Sequence, residues 1–196
     1  MGYTTEFKGR FEFDHKLSKA EADYINLFSR TRHMLRDPEK IKGIFKNWET
    51  ENSFLGDLGP DAIYFVKDNF EEEKEITEAL DPSKKLRFYQ LYSDPRMPIK
   101  DYNDTPDRIP GLWCQWIVSD DHKHLEWDQG EKFYCYIDWL AFLIEHFFNK
   151  MDVKLNGTVL WEGEDRSDNG YIELKDSKIK IYTTTISSSG PRSITY

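Results

Sequence analysis

A chain of 196 residues is long enough to bury a core and reads most simply as one domain, residues 1–196. An aromatic content of 15% excludes a disordered chain, and a net charge of −9 argues against direct binding to nucleic-acid phosphates, which needs Lys and Arg. The acidic balance favours solubility and steers toward basic partners.

The two cysteines, Cys114 and Cys135, form no C-x-x-C pair and have aromatic neighbours, so they read as buried reduced thiols. A disulfide between them would need an oxidising compartment. The start MGYTTEFKGRF has no apolar signal region, and Glu6 stands where myristoylation wants Ser or Thr. No run approaches the roughly 18 apolar residues of a membrane span. The expectation is a cytoplasmic protein with no membrane contact.

Residues 3–13 alternate, with Tyr3, Thr5, Phe7, Gly9, Phe11 and Phe13 on one side, which predicts a strand with one buried face. Ser18 and Glu21 form a capping box that opens a helix. Its apolar arc of Ala20, Tyr24, Leu27, Phe28, Thr31, Met34 and Leu35 predicts that it runs to Asp37-Pro38. Ala62–Val66 reads as a short strand, Phe70–Leu80 as a helix with acidic residues in its first turn, and Leu86–Tyr92 as a strand. Residues 93–110, punctuated by Pro95, Pro98, Pro106 and Pro110, read as a long loop of the kind that often carries function.

Leu112–Val118 and His124–Trp127 predict a strand pair around Ser119–Lys123, followed by a helix from about Glu131. Phe133, Tyr136, Ile137, Leu140, Ala141, Leu143, Ile144, Phe147, Phe148 and Met151 share that helix's main apolar arc. A second stripe, Cys135, Trp139, Phe142 and His146, lies opposite and needs a cover of its own: another part of the chain, or a partner. Val153–Glu162, Gly170–Lys175 and Lys178–Thr184 predict three strands joined by turns at 168–170 and Asp176-Ser177. Residues 187–196 are an edge strand or a flexible tail. The fold class that follows is α+β: an antiparallel sheet, made of the N-terminal strand and a C-terminal three-stranded meander, with two main helices packed on it.

Several residues invite a chemical reading. Arg32 and Arg36, at i and i+4 of the expected helix, present two guanidinium forks that would clamp a phosphate or carboxylate; the plainer reading is a basic helix C-terminus. Glu126, Asp128 and Glu131 flank Trp127, where paired carboxylates serve acid–base chemistry only if a pKa is shifted, and Asp128 reads more simply as a helix cap. His122 and His124 share a strand face but lack a third metal ligand. The acidic loop WEGEDRSDNG departs from the Ca²⁺-loop pattern and reads as a solvated turn. Phosphate-binding, dinucleotide and hydrolase motifs are missing, and neither a cofactor nor a metal is implied.

Trp113, Trp116, Trp127, Tyr134 and Trp139 crowd into 27 residues. Trp113 and Trp116 have opposite strand parity, so both cannot face one core: either one of them is exposed or lines a pocket or interface, or both faces of the strand pair are covered within the monomer. Candidate binding residues are therefore Arg32, Arg36, Trp113, Trp116, Trp127, Asp128, Glu131, Tyr134, Trp139, Phe142 and His146.

Gly2-Tyr3-Thr4-Thr5-x-Phe7-x-Gly9, Thr31-Arg32-His33-Met34-x-Arg36-Asp37, PGLWCQW, LEWDQGEKFY and LNGTVLWEGEDRSDNG together resemble a family of uncharacterised phage, prophage and bacterial proteins. The resemblance covers both ends and the centre, with residues 38–100 diverging most. It implies an accessory protein of phage origin, acting in the host cytoplasm on a host protein such as a defence component. The expectation is a non-enzymatic binding protein that engages a host protein or self-associates. The alternative is a protein that binds or processes a small nucleotide-like anion through Arg32, Arg36 and the Trp cluster.

Overall fold

A computed structural model describes residues 3–46, 48, 57–165, 167–183 and 193–195. The 196 residues, read above as one domain, divide into two compact units: Met1–Ala22 with Gln115–Tyr196, and the intervening Asp23–Cys114.

The first unit carries a seven-stranded antiparallel sheet in the order β4-β5-β1-β6-β7-β8-β9, formed by β1 (Thr5–Phe13), β4 (Trp116–Val118), β5 (His124–Trp127), β6 (Leu155–Gly163), β7 (Asn169–Lys175), β8 (Lys178–Thr183) and β9 (Ser193–Thr195). The fold class is thus α+β, with the N-terminal strand and the C-terminal meander in one sheet. Strand β1 lies inside the sheet. It pairs with β5 at Phe11↔Leu125 and with β6 from Thr5↔Gly163 to Phe13↔Leu155. The alternation seen in the sequence sets its faces: Thr5, Phe7, Phe11 and Phe13 are buried and Glu6, Lys8, Arg10 and Glu12 are exposed. Gly9 has φ +109°, and a side chain there would put Cβ 2.6 Å from the Thr158 carbonyl oxygen, so close strand approach excludes other residues. Asp176 and Ser177, with φ of 49° and 63°, make the two-residue β7–β8 turn whose twist matches the strands it joins.

On the sheet's inner face Phe7 is boxed by Trp116, Trp127, Phe133 and Tyr136, with ring centres 4.9–5.8 Å apart. The Trp116 indole N–H donates to the Tyr136 carbonyl at 2.8 Å, which ties β4 to the following helix. That helix starts at Tyr136 rather than near Glu131. Gln129, Lys132 and Cys135 all have positive φ, so residues 128–135 form an irregular loop. Beyond Leu143 the helix widens into a π turn, Ile144–Phe148, where the Asn149 N–H reaches the Ile144 carbonyl.

The second unit is built differently. Helix α1 (Lys19–Arg30), within which the division of the chain falls, has its capping box, with Ser18 N–H donating to Glu21 at 2.7 Å. It stops at Arg30, short of Asp37-Pro38. The Thr31 hydroxyl shares its one proton between the Leu27 and Lys67 carbonyls, at 2.8 and 3.1 Å, and accepts from the Lys67 N–H, while the Arg32 N–H turns to the Asn69 side chain. Tertiary hydrogen bonds outcompete the next helical turn there. The chain instead forms β2 (Leu35–Arg36), paired with β3 (Ile99–Asp101), and α2 (Pro38–Ile44), capped by Asp37.

Helix α3 (Asn69–Leu80) matches expectation and is capped by Asp68. The segment expected as a strand at 62–66 instead leaves the tight turn Pro60–Ala62 as irregular chain, that at 86–92 contains the tight turn Phe88–Leu91, and the loop at 93–110 contains β3. The core of this unit includes Met34, Ile41, Phe45, Phe65, Ile76, Leu91 and Ile99. Through it runs a buried ion pair: Arg36 holds both Glu72 carboxylate oxygens at 2.8 Å and donates to the carbonyls of Met34 and Arg32. Helix α4 is Tyr136–Leu143 of the first unit. Among the described residues no helix is long and apolar enough to cross a membrane.

Candidate functional site

The candidates divide between the two units. Arg36 is 1% exposed and neutralised by Glu72, and neither it nor Arg32 is helical, so the expected i, i+4 anion clamp does not form. Arg36 is a structural residue. Trp116 is fully buried and Trp127 half-buried in the box around Phe7, where the Trp127 indole N–H donates to Gln115 at 3.1 Å. Trp139 and Phe142 are buried within the chain, edge to face at 5.8 Å, and the half-buried His146 stacks on Phe142 at 4.2 Å. The second helix stripe is therefore largely covered by the chain itself.

Asp128 does not cap a helix; its carboxylate accepts from the Gly130 N–H at 2.7 Å and closes a local turn. The backbone carbonyl of Glu131 accepts from Gln115, and the Tyr134 hydroxyl, on an exposed ring, accepts from the Tyr3 N–H. Cys114 is buried but Cys135 is exposed, both as free thiols, and partial burial together with Asp138 raises the Cys135 pKa. The acidic loop is structural, with Asp168 accepting from the Tyr3 hydroxyl and the Trp161 indole N–H. His124 lies 3.1 Å from Asp121 inside its turn, and among the described residues no cluster of three or more His, Cys, Asp or Glu could hold a metal ion.

What the structure does bring together is Arg32 and Trp113, with residues that sequence reasoning missed. The Arg32 guanidinium lies 4.2 Å from the Tyr102 ring centre and 5.5 Å from that of Trp113. It is pinned there by hydrogen bonds to the Tyr102 carbonyl and the Asn103 side chain. Among the described residues no carboxylate pairs with it. The buried pair behind it sets its position, because Arg36 donates to the Arg32 carbonyl at 2.7 Å.

From Tyr102 the aromatic surface continues edge to face to Tyr92 at 6.3 Å and on to Phe88 at 5.4 Å. The tight turn Phe88–Leu91 explains this arrangement. With about three residues per turn, Phe88 and Leu91 face the core while Tyr89 and Tyr92 face outward. Strand β3 likewise buries Ile99 and exposes Lys100 and Asp101. Phe88, Tyr89, Tyr92, Lys100, Asp101 and Tyr102, with Glu73 of α3, line a groove of about 520 Å³.

Burial of large apolar surface differs between the units. Among the described residues nine large apolar side chains are exposed, and six of them, Phe70, Leu86, Tyr89, Tyr92, Tyr102 and Trp113, belong to the second unit. Tyr89 is 65% exposed and Trp113 41%. Tyr, Trp and Arg together are the residues that dominate binding energy at protein interfaces. The tyrosines went unread because Leu86–Tyr92 has strand composition; the bracketing Asp81-Pro82 and Pro95 were the available sign of a turn.

No protein-family model, no curated protein and no solved structure matches this chain.

Proposed function

We propose that the chain is a non-enzymatic binding protein whose partner docks on the aromatic face of the second unit, around Arg32, Tyr102 and Trp113. The observation that carries this reading is the guanidinium held between two exposed rings, at the end of a tyrosine surface that the unit leaves open to solvent. Rigid aromatic side chains supply contact area at small entropic cost, and Arg32 is already fixed by three interactions before a partner arrives. The resemblance to phage and prophage proteins supplies the context: a phage-encoded factor acting in the host cytoplasm on a host protein, such as a defence component.

Affinity capture from bacterial lysate, run in parallel with wild-type chain and a Tyr102→Ala/Trp113→Ala variant, tests this reading. The expected result is a protein retained by the wild type and lost from the variant, with unchanged far-ultraviolet circular dichroism. Equal retention by both chains overturns the assignment of this face. The anion-binding alternative is left with Arg32 as the one cation of its pair, since Arg36 is held by Glu72. A thermal-shift series with nucleotides and inorganic phosphate tests it, and no shift with any of them removes it.

A further inference from the structure

We infer that the tyrosine groove takes a cationic side chain, Arg or Lys, presented by a basic segment of the partner protein. This inference rests on the binding-protein reading and names the chemistry of the partner. The groove, about 520 Å³, offers aromatic walls from Phe88, Tyr89, Tyr92 and Tyr102, and two carboxylates, Glu73 and Asp101. Aromatic faces attract cations through the negative side of the ring, and a nearby carboxylate adds charge without blocking the face.

The charge balance supports a cation. Lys100, the one basic lining residue among the described residues, is already paired with Asp61 at 2.8 Å. Glu73 carries no ion pair among the described residues, while Asp101 accepts only the backbone N–H of Asn103 through one oxygen. Arg32, on the Tyr102 ring but outside the groove lining, offsets one of these negative charges and leaves the other. The Tyr92 hydroxyl registers the same field: its pKa is raised by burial first, then by Tyr102, Glu72 and Glu73, with Arg32 opposing. An added negative charge is disfavoured at this position. The whole chain, at −9, draws a basic partner toward itself from a distance.

The occupant is a polypeptide rather than a small free cation because the surface extends past the groove. Phe70, 76% exposed, lies one helical turn before Glu73 on α3. It lines a further shallow concavity of about 270 Å³ that shares Glu73 with the groove. A segment that seats one cationic side chain among the tyrosines therefore has an apolar side chain beside it to cover.

The test uses the full chain and a set of synthetic peptides that share one backbone sequence and carry Arg, Lys, citrulline, acetyl-lysine or Glu at a central position. Binding is followed by NMR through the ring resonances of Tyr89, Tyr92 and Tyr102, with arginine amide and tetramethylammonium as small-cation arms. The expected result is movement of these rings with the Arg and Lys peptides. Citrulline or acetyl-lysine should weaken binding roughly 2- to 30-fold, the range of a cation–π contact. Tyr89→Ala and Glu73→Gln, both exposed positions, should each reproduce part of that loss.

Equal binding of the citrulline and arginine peptides overturns the inference. So does arginine amide binding as tightly as the peptide, which would make the groove a small-molecule pocket. A captured partner that depends on Trp113 and Tyr102 but is indifferent to Glu73→Gln and Tyr89→Ala overturns this inference while leaving the binding-protein reading intact. Failure of every peptide and every lysate protein to bind removes both.

Discussion

The two units solve the same problem, satisfying a buried backbone, with opposite materials. The first has a seven-stranded ladder, so its core can be apolar, and its aromatic rings are spent inward around Phe7 and along α4. Among its described residues the second has only the short β2–β3 pair and several irregular stretches, so side chains complete its hydrogen bonding. Arg36, Thr31 and Asn69 all bond to backbone there, and His33, Arg36, Lys67 and Glu72 are buried. A polar skeleton of this kind fixes loops in place and leaves tyrosines outside. A core that spends charge on structure can present its aromatics as surface.

The sharpest way to break this comparison is to remove one keystone from each unit. Glu72→Ala strands the Arg36 charge in the core and should cost about 3–5 kcal/mol. Phe7→Ala should cost a similar ~3–5 kcal/mol through lost burial and the cavity left behind. Denaturant titration measures both, and the two should differ in repair. Replacing both partners, as Arg36→Met with Glu72→Leu, should recover most of the loss in the second unit, because an apolar pair of similar volume removes the unpaired charge. If the double variant is no more stable than Glu72→Ala, the loss does not come from an uncompensated charge.

An effect of similar full size, but spread over several pH units, should appear on acidification. His33 is buried against Phe28, and burial, with the Arg36 charge, lowers its pKa to about 3. The unfolded chain takes up this proton near pH 6.5 but the folded chain does not. The contribution is therefore intact above pH 6.5 and is lost as pH falls toward 3, at about 1.4 kcal/mol per pH unit. In the folded protein the His33 ring resonances should stay at their neutral positions from pH 7 to pH 4. Titration near pH 6 would show that the ring is hydrated.

The smallest expected effect is the most informative about function. Tyr89→Ala should change stability by no more than about 0.5 kcal/mol, the usual range for exposed positions, and Trp113→Ala, which also loses its contact with Arg32, by about 1 kcal/mol. A loss above about 2 kcal/mol for either would make it a structural residue and remove it from the binding face.

Local rules made much of this fold legible. Alternation at Thr5–Phe13, the Ser18–Glu21 box, the helix ending at Leu80 and the turn at Asp176-Ser177 each depend on neighbours within a few residues. What was not legible depends on distant partners. Arg36 sits at helical spacing from Arg32, yet it belongs to a strand because Glu72, 36 residues away, holds it there. Gln129, Lys132 and Cys135 adopt left-handed backbone without a glycine to announce it. Of the candidate site, Arg32 and Trp113 were visible as residue types, but their meeting on Tyr102 was not, because residues 93–110 bring Tyr102 back through β3.

The position of β1 inside the sheet also sets a timetable. Both of its neighbours are encoded downstream of the whole second unit: β5 begins at His124 and β6 ends at Gly163. During synthesis at roughly 5–20 residues per second, β1 therefore waits on the order of 10–30 s for the strand that pairs along its full length. Throughout that interval it lacks the strand that covers Thr5–Phe13 along its full length, and the open edge and the Phe7, Phe11 and Phe13 side chains are features that recruit other chains. Nascent chains halted before residue 155 should thus be the species that chaperones hold, even though every residue of the second unit has by then been made.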